Sequence, residues 1–552
     1  MTITLANYLT KRLNKLGIQH VFGLPGDFNF NILYSIENAP DMNWVNCTNE
    51  LNAGYAADGY ARVNGFGAIV TTFGVGELSA INAIAGSYSE SVPVMKIVGV
   101  PASKMIENNV ILHHNFQKPD YYAFERTFSN VVETTAFLDK NNAKAELDRI
   151  FEVMVMTRKP VYVAIPVDVC KMEIEDSIPE IVMESDGNNL EKAVNHICSV
   201  INKSKKPVIV ADFPVKRYGL YKDLENLIEK TKFPSTTLMM GKGAIDETND
   251  CFMGSNLGNV SFDTTQQIMN ESDCVITLGA VYADLNTGGF SVMPDDSFKV
   301  DIQSNYCVVE GLNYPNAWMK DVIKELTVRL GENAHSNIGK FGYSLNESEE
   351  SKPLVTSDIF DYLQSFIKED DIVFIETGII SFPSGLMKLP KNVSFNTQTL
   401  WGSIGWATPA MFGGAMADRS RRTILFTGEG SHQLTMQEVA NMLHYDIKPV
   451  IFVLNNSGYT VERALSDDPM DSFNDITDWD YSKLPSLFKG EYWSMQVRTN
   501  SELKDALIKA EKEQKEKLCY IELFTDKMDI PETVSKVIEN LKKYSTTSSL
   551  VK

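Results

Sequence analysis

The chain has 552 residues, which at about 150 residues per domain predicts three or four domains. Hydrophobic residues make up 43% and charged residues 22%, as in a globular protein with several buried cores. The formal net charge of −21 argues against nucleic acid as a main partner, because phosphate binding needs clustered Lys and Arg.

The cysteines and the N-terminal residues indicate a cytoplasmic protein. Seven cysteines are dispersed along the chain without a CxxC pair, which favours reduced thiols over a disulfide framework or a zinc site. Residues 1–17 carry charges every few positions and lack the apolar core of a signal peptide. The sequence has no run of about 20 apolar residues, so no membrane span is predicted.

The first predicted element is an amphipathic helix, since apolar side chains recur there at helical spacing. Those side chains belong to Leu5, Tyr8, Leu9, Leu13 and Leu16. A short apolar stretch, Val21 and Phe22, then leads into a turn at residues 23–27.

Short apolar runs alternate with helical patterns along the rest of the chain, which predicts parallel βαβ units. The runs are residues 68–73, 94–100, 161–167, 208–210, 275–278, 372–375, 423–426, 450–454 and 520–524. Two polar stretches, 184–189 and 344–352, interrupt this alternation and are predicted to be linkers. We therefore expect three α/β domains with doubly wound parallel sheets. Their predicted bounds are 1–183, 190–343 and 353–543.

Polar residues follow two consecutive apolar runs of the third domain. The first run ends in GEGS (428–431), with a helix predicted to begin near Leu434. Glycines at such a turn let backbone N–H groups approach a phosphate, and a helix N-terminus adds a favourable dipole. The second run ends in NNSG (455–458), whose amide oxygens beside a carboxylate are ligands that Mg²⁺ prefers. A tight turn would explain GEGS alone, but the NNSG after a second strand favours a site.

The run GEGSHQLTMQEVANMLHYDIKPVIFVLNNSGYTVER resembles the diphosphate-binding segment of the thiamine-diphosphate-dependent pyruvate decarboxylase and indolepyruvate decarboxylase family. That family's fingerprint opens with Gly-Asp-Gly and closes with Asn-Asn, so a glutamate stands here where the family usually has Asp. The resemblance implies thiamine diphosphate and Mg²⁺ as cofactors. The implied metal ligands are Glu429, Asn456 and the Gly458 carbonyl, and the implied diphosphate contacts are Gly428, Gly430 and Ser431.

Two upstream segments resemble the family's pyrimidine pocket. In LWGSIGWATPA, Gly402 resembles the residue whose carbonyl accepts from the cofactor's 4′-amino group, and Ile404 resembles the residue that bends the cofactor. A buried glycine turn is the alternative for this segment. The ETG at 376–378 resembles the start of the pocket and implies Thr377 as a cofactor contact, with Ile379 where the family often has Thr.

Glu50 is the second residue of a segment rich in small residues, NELNAGYAADGYAR (49–62). A glutamate here could serve only as a favourable charge at a helix start. The segment also closely resembles the family's catalytic-glutamate segment. In that case its carboxyl group bonds the pyrimidine ring nitrogen and favours the imino tautomer, whose nitrogen removes the C2 proton of the thiazolium.

Further polar residues match family segments. They are Asp27 in GLPGDF, the pair His113 and His114, and Glu462 in GYTVER. Individually they suit a turn acid, surface imidazoles and a solvated helix charge. Their joint match implies that all four are catalytic. The histidine pair also discriminates against acetolactate synthases and oxalyl-CoA decarboxylases, which typically lack it.

The resemblance covers nearly the whole chain and is weakest in the middle domain. It implies non-oxidative decarboxylation of a 2-oxo acid to the aldehyde and CO₂ through a thiamine diphosphate ylid. It also implies a homodimer, often paired into a homotetramer, in which the first domain of one subunit meets the third domain of its neighbour. The alternatives are a carboligase of the acetolactate synthase type and a catalytically silent regulatory relative. No convincing dinucleotide fingerprint within 190–345 supports the carboligase.

By alignment to the family, Leu285, Ser381 and Val461 fall near the substrate pocket. Pyruvate-restricted members tend to have an aromatic residue at the first position and Ile at the third. The smaller side chains predict that pyruvate and larger branched or aromatic 2-oxo acids, such as indolepyruvate, are accepted. The alternative is that Phe382 or Met528 refills the space.

Overall fold

The computed structural model describes residues 1–332, 341 and 349–546, which fold into three α/β units. Each apolar run that predicted a strand forms one, and the predicted first helix spans Leu5–Lys15. The predicted linker at 184–189 runs into a helix that begins at Gly187. Residues 344–348 of the other predicted linker lie outside the described residues. The exact domain bounds stay predictions.

The first unit contains a six-stranded parallel sheet and a separate two-stranded ribbon, both flanked by helices. Its strands are β1 (Thr2–Thr4), β2 (His20–Gly23), β3 (Asn43–Asn46), β4 (Gly67–Thr72), β5 (Val94–Val100), β6 (Thr135–Phe137), β7 (Val161–Pro166) and β8 (Glu173–Glu175). Its helices are α1 (Leu5–Lys15), α2 (Phe30–Glu37), α3 (Glu50–Asn64), α4 (Val75–Ser79), α5 (Ile81–Ser89), α6 (Ser103–Glu107), α7 (Ala123–Phe128) and α8 (Ala143–Thr157). The sheet order is β3-β2-β4-β5-β7-β6, and β1 pairs with β8 in a separate antiparallel ribbon.

The second unit contains a seven-stranded mixed sheet. Its strands are β9 (Pro207–Ala211), β10 (Ser235–Thr237), β11 (Phe252–Ser255), β12 (Cys274–Leu278), β13 (Phe298–Ile302), β14 (Tyr306–Val309) and β15 (Leu312–Pro315). Its helices are α9 (Gly187–Lys203), α10 (Phe213–Arg217), α11 (Tyr221–Thr231), α12 (Asp263–Glu271) and α13 (Met319–Arg329). The order is β11-β10-β9-β12-β13-β14-β15. The first five strands are parallel, whereas β14 pairs antiparallel with both β13 and β15 at one edge of the sheet.

The third unit is again a six-stranded parallel sheet. Its strands are β16 (Ile372–Ile375), β17 (Ser394–Thr397), β18 (Thr423–Gly428), β19 (Val450–Asn455), β20 (Tyr492–Val497) and β21 (Leu518–Phe524). Its helices are α14 (Thr356–Phe366), α15 (Ser381–Leu386), α16 (Ala407–Ala417), α17 (Glu429–Thr435), α18 (Glu438–His444), α19 (Thr460–Leu465), α20 (Asn500–Glu513) and α21 (Glu532–Thr546). The order β17-β16-β18-β19-β21-β20 matches the pattern of the first unit, which confirms the predicted doubly wound α/β architecture.

The first and third units pack against each other through helices α3 and α16, whose backbones approach closely. A Cβ atom at Gly59 would lie 1.9 Å from the Ala410 carbonyl oxygen, and one at Gly413 would lie 1.8 Å from that of Ala56. Only glycine permits this approach, so the small residues of α3 fix where its first residue, Glu50, stands relative to the third unit. Within the described residues, the helices lack the combined length and apolar character needed to cross a bilayer.

Candidate active site

Both parallel sheets have a switch point, where the chain turns from building one side of the sheet to building the other. In the first sheet this point lies between β2 and β4, and in the third between β16 and β18. Ligands of open α/β sheets bind outside the carboxyl ends of strands at such points. The predicted site residues follow these strands, at residues 23–28 and 376–378 and in GEGS.

The structure brings Asp27, His113 and His114 together. The His113 Nε2 atom lies 3.1 Å from the Asp27 Oδ2 atom, and the centroids of the two imidazole rings are 4.4 Å apart. Phe28 packs against both rings. About half of the His113 and Asp27 side chains is exposed, at 56% and 50%. The cluster can therefore exchange protons with a ligand that enters from solvent.

Glu50 and the histidine pair both contact the start of α4, at Gly76 and Gly74 respectively. Glu50 is the first residue of α3, and the preceding Asn49 caps the helix by accepting the Asn52 N–H at 2.8 Å. A Cβ atom at Gly76 would lie 3.1 Å from the Glu50 Oε1 atom, and one at Gly74 would lie 2.1 Å from the His114 carbonyl oxygen. Glycines at these two positions let the carboxyl group and the histidine pair approach the same loop.

Glu429 is the buried acid of the third unit, with 2% of its surface exposed. Its Oε1 atom accepts the N–H groups of Gly458 at 2.8 Å and Asn456 at 3.2 Å. Burial outweighs these bonds and raises the pKa of Glu429 to about 7. The prediction that the helix begins near Leu434 is wrong, because α17 begins at Glu429 itself. An acidic side chain in the first turn stabilises that helix start.

The side-chain amide of Asn456 meets two oxygen atoms at this point. One of its terminal atoms lies 2.9 Å from the Gly458 carbonyl oxygen and 3.2 Å from Glu429 Oε1, and the other lies 3.0 Å from the Thr460 hydroxyl oxygen. With the amide nitrogen turned inward, Asn456 donates to both oxygens and accepts from Thr460. With the amide oxygen turned inward, it completes a cluster of three oxygen atoms that a cation would join. Carboxylate, amide and carbonyl oxygens fit Mg²⁺.

A cleft of bare backbone adjoins this oxygen cluster. A Cβ atom at Gly378 or Gly428 would meet nothing within 4 Å, and one at Gly402 would first meet the Thr377 side chain at 3.9 Å. The buried Gln398 side chain does not point into this open space: its Nε2 atom lies 2.7 Å from where a Cβ atom of Gly86 would be, in the first unit. Open backbone beside a metal site fits a cofactor that bears a diphosphate.

The remaining third-unit residues take different positions. Gly430 lets the Tyr459 ring pack against the backbone of α17, since a Cβ atom there would lie 2.5 Å from that ring. Ser431 is buried in α17, and Ile404 is half-buried in the loop before α16. Glu462 is exposed on α19, and no described hydrogen bond or ion pair joins it to the Asp27 cluster. In the part of the chain that the structure describes, no hydrogen bond or ion pair joins the Asp27 cluster to Glu429 either.

Two of the three predicted substrate-pocket residues line one small cavity. Leu285 and Ser381 meet there with Phe382, and the cavity volume is about 10 Å³, enough for about one water molecule. Val461 is not among its lining residues. Phe382 therefore occupies part of the space that the small side chains leave.

Two polar residues of this region were not predicted as site residues. Glu376 and Gln398 line the same cavity and are 0% and 1% exposed. Each follows an apolar stretch at the carboxyl edge of the third sheet, and that position was the available signal. Burial raises the pKa of Glu376 to about 7.

Comparison with known proteins matches each unit to a part of one enzyme class. Residues 3–124 match the family described as thiamine pyrophosphate enzyme, N-terminal TPP binding domain. Residues 194–310 match the central domain of thiamine pyrophosphate enzymes, and residues 382–523 match their C-terminal TPP binding domain.

Similar curated proteins are pyruvate decarboxylases of yeasts. The chain is 36% identical to pyruvate decarboxylase of Kluyveromyces lactis over 549 residues, which is 97% of each chain. It is 36% identical to pyruvate decarboxylase isozyme 1 of Saccharomyces cerevisiae over 521 residues, 91% of each chain. The Candida albicans pyruvate decarboxylase is 36% identical over 548 residues, 96% of each chain. The chain belongs to the pyruvate decarboxylase family of thiamine pyrophosphate enzymes.

Proposed function

We propose that this protein catalyses non-oxidative decarboxylation of 2-oxo acids, with thiamine diphosphate and Mg²⁺ as cofactors. The observation that carries the proposal is the convergence of the Glu429 carboxyl group, the Asn456 amide and the Gly458 carbonyl beside the open backbone of Gly428. The matches to pyruvate decarboxylases support the reaction class. They favour neither the carboligase nor the silent relative.

The third unit would hold the cofactor. Glu429, Asn456 and the Gly458 carbonyl would hold Mg²⁺ against the diphosphate, and Gly428, Gly430 and Ser431 would contribute backbone around it. Thr377, Gly402 and Ile404 would contact the rest of the molecule.

The first unit would handle protons. When bound, thiamine diphosphate supplies an electron sink for the carboxylate-bearing carbon of the substrate. Glu50 would hold a proton at the pyrimidine ring nitrogen. Asp27, His113 and His114 would donate and accept protons at the substrate carbon and oxygen, together with Glu462. The half-exposure of His113 and Asp27 supports this role, since a buried pair could not exchange protons with solvent.

We propose further that the working enzyme is a homodimer, paired into a homotetramer, in which one site combines the first-unit group of one chain with the third-unit group of another. Apolar side chains are exposed beside both groups: Val75 and Leu78 on α4 next to Glu50, and Leu434 on α17. Such side chains favour burial in an interface. The proposal gives Glu50 of one chain and Glu429 of the other to the same cofactor.

Mixing two inactive variants tests the shared site. Chains with Glu50→Gln and chains with Glu429→Ala, co-expressed in equal amounts, would form hybrid dimers with one intact site, so about a quarter of wild-type activity is expected. No recovery of activity, with hybrids detected by native mass spectrometry, would show that each chain builds its own site.

The unpaired thiols of all seven cysteines support a cytoplasmic location.

Aldehyde and CO₂ release tests the function itself. The purified protein is supplied with thiamine diphosphate, Mg²⁺ and one 2-oxo acid at a time, without an electron acceptor. We expect equal amounts of aldehyde and CO₂ from pyruvate and from larger 2-oxo acids. A condensed acetohydroxy acid as main product would support a carboligase, and no turnover on any acid would support a silent relative.

A further inference from the structure

Glu376 is a buried carboxylate to which the proposed chemistry assigns no role. It follows β16 directly, and none of its surface is exposed. The Thr377 N–H donates to Oε1 at 3.0 Å, and the Ala407 N–H donates to Oε2 at 3.1 Å. In the described part of the chain, the ion pairs do not include Glu376, so backbone N–H groups alone satisfy it.

A buried carboxylate of this kind is costly, which argues against a role in stability alone. Burial raises the pKa of Glu376 to about 7, so the ionised form is held at a cost in solvation. A neutral side chain of similar volume would avoid that cost. The compensation is local, because Ala407 is the first residue of α16 and helix-start N–H groups have no partner within the helix.

The two N–H donors come from two chain segments that also carry the predicted cofactor contacts. Thr377 belongs to the segment after β16, whereas Ala407 belongs to the loop and helix start at 398–407. Gly402 and Gly405 have φ angles of +63° and +87°, so this loop depends on glycine conformations and has few regular backbone hydrogen bonds.

Other contacts tie the loop to the first unit: the Leu400 N–H donates to Glu90, the Trp401 indole to Asn82 and the Trp406 indole to Asp58. Contacts within the third unit are fewer. At its start, the Ser403 N–H donates to Gln398 Oε1 at 3.0 Å and the Thr377 hydroxyl donates to the Gln398 carbonyl at 3.0 Å. Near its end, the Thr435 hydroxyl donates to the Gly405 carbonyl at 2.7 Å. Glu376 is the group that ties this end to strand β16.

We propose that Glu376 is a positioning residue, whose carboxylate fixes the 398–407 loop against the end of β16 and so places Gly402 and Ile404 against the bound cofactor. This inference rests on the proposed function. Glu376 acts through the loop and not on the reacting atoms. Removing one of its acceptor oxygens therefore loosens the loop without removing the metal ligands.

The test compares Glu376→Gln with Asp371→Asn. Gln keeps the shape but replaces one acceptor oxygen by an NH₂ group that faces a backbone N–H donor. Asp371 is the matched control: it is 2% exposed, lies just before β16 at the opposite end of that strand, and accepts from Arg422 and the Lys368 N–H. Hydrogen–deuterium exchange of the cofactor-free proteins reports on the loop without using activity.

We expect amide exchange in 398–407 to be at least about tenfold faster in Glu376→Gln and unchanged there in Asp371→Asn. In the loaded enzyme, we expect kcat of Glu376→Gln to fall by about 10- to 100-fold, as for a small misplacement of reacting groups. KM for the 2-oxo acid should change by less than about threefold, because the substrate contacts remain. Glu376→Asp, which keeps the charge on a shorter arm, should recover part of the loss. If Glu376→Gln does not fold, the same exchange and kcat measurements are made on Glu376→Asp.

Unchanged loop exchange in Glu376→Gln would overturn the proposal. An equal increase in loop exchange in Asp371→Asn would overturn it too, because neutralising any buried carboxylate next to β16 would then loosen the loop. A kcat within twofold of wild type, with faster loop exchange, would show that the loop does not place the cofactor. A wild-type enzyme without decarboxylase activity would instead refute the proposed function, and the exchange result would still stand.

Discussion

Ionisation of Glu429 is expected to control how tightly the protein binds Mg²⁺. A carboxyl group must lose its proton before it can bind a metal ion. Burial raises the pKa of Glu429 in the metal-free protein from 4.5 to about 7, within the range where enzymes are assayed. The perturbation is therefore a change of pH from 8 to 6, with Glu429→Gln as the variant that has no proton to lose.

The magnitude follows from the pKa. The fraction of ionised Glu429 falls from about nine-tenths at pH 8 to about one-tenth at pH 6, so the Mg²⁺ affinity should weaken by about tenfold. The direction in which pH changes the stability of the metal-free fold also follows from the pKa. Because the folded pKa lies above the unfolded value, rising pH destabilises the metal-free fold between about pH 4.5 and 7. The rise in the pKa of Glu429 from 4.5 to about 7 corresponds to about 3 kcal/mol of unfolding free energy. Mg²⁺ binding removes this cost, so the rise in Tm caused by Mg²⁺ should grow with pH.

Isothermal titration calorimetry with Mg²⁺, in the presence of thiamine diphosphate, measures the affinity at pH 6, 7 and 8. The cofactor's own phosphate titrates too, so the informative quantity is the difference in pH slope between wild type and Glu429→Gln. We expect the variant to bind Mg²⁺ more weakly and to lack the part of the slope due to Glu429. Glu429→Asp should remain active, because the carboxylate survives, and Glu429→Ala should lose cofactor affinity. Equal slopes in wild type and Glu429→Gln would refute the assignment.

Other substitutions test the remaining site residues. Glu50→Gln should slow deuterium exchange at C2 of the bound cofactor by about 10²–10⁴-fold, and an unchanged exchange rate would remove Glu50 from this role. Replacing Asp27, His114 or Glu462 by a neutral residue should impair turnover while cofactor binding, followed by fluorescence titration, persists; loss of binding in all three would mark them as structural. Phe382→Ala should raise kcat/KM for phenylpyruvate relative to pyruvate by at least about tenfold, because the ring fills the cavity. An unchanged ratio would show that Phe382 does not limit substrate size.

The strands of the parallel sheets were predictable because their residues are buried on both faces and read as continuous apolar runs. The run at 161–167 forms β7 (Val161–Pro166), which is buried throughout. Edge strands such as β3 and β20 were not predicted, since they are short or half-exposed and lack such a run. The antiparallel pair β14 and β15 at the edge of the second sheet was missed for the same reason.

The types of site residue were predictable from their places after strands, but their distances were not. Asp27 and His113 lie 86 residues apart in sequence, and their contact depends on tertiary packing, such as that of His114 against Gly74, which no local pattern encodes. Glu376 was noted only as part of a segment, since its partner, the Ala407 N–H, lies 31 residues further along the chain. The helix start at Glu429 was misplaced because the glycines beside it favour a loop, whereas the structure continues directly from strand to helix.

The most direct test of the central claim is CO₂ release from pyruvate before and after removal of the cofactors. The protein is dialysed against a chelator, assayed without an electron acceptor, and assayed again after thiamine diphosphate and Mg²⁺ are returned together. We predict that dialysis abolishes CO₂ and acetaldehyde release and that the two cofactors restore both products in equal amounts. Full activity in dialysed protein that contains neither cofactor nor metal would contradict the account.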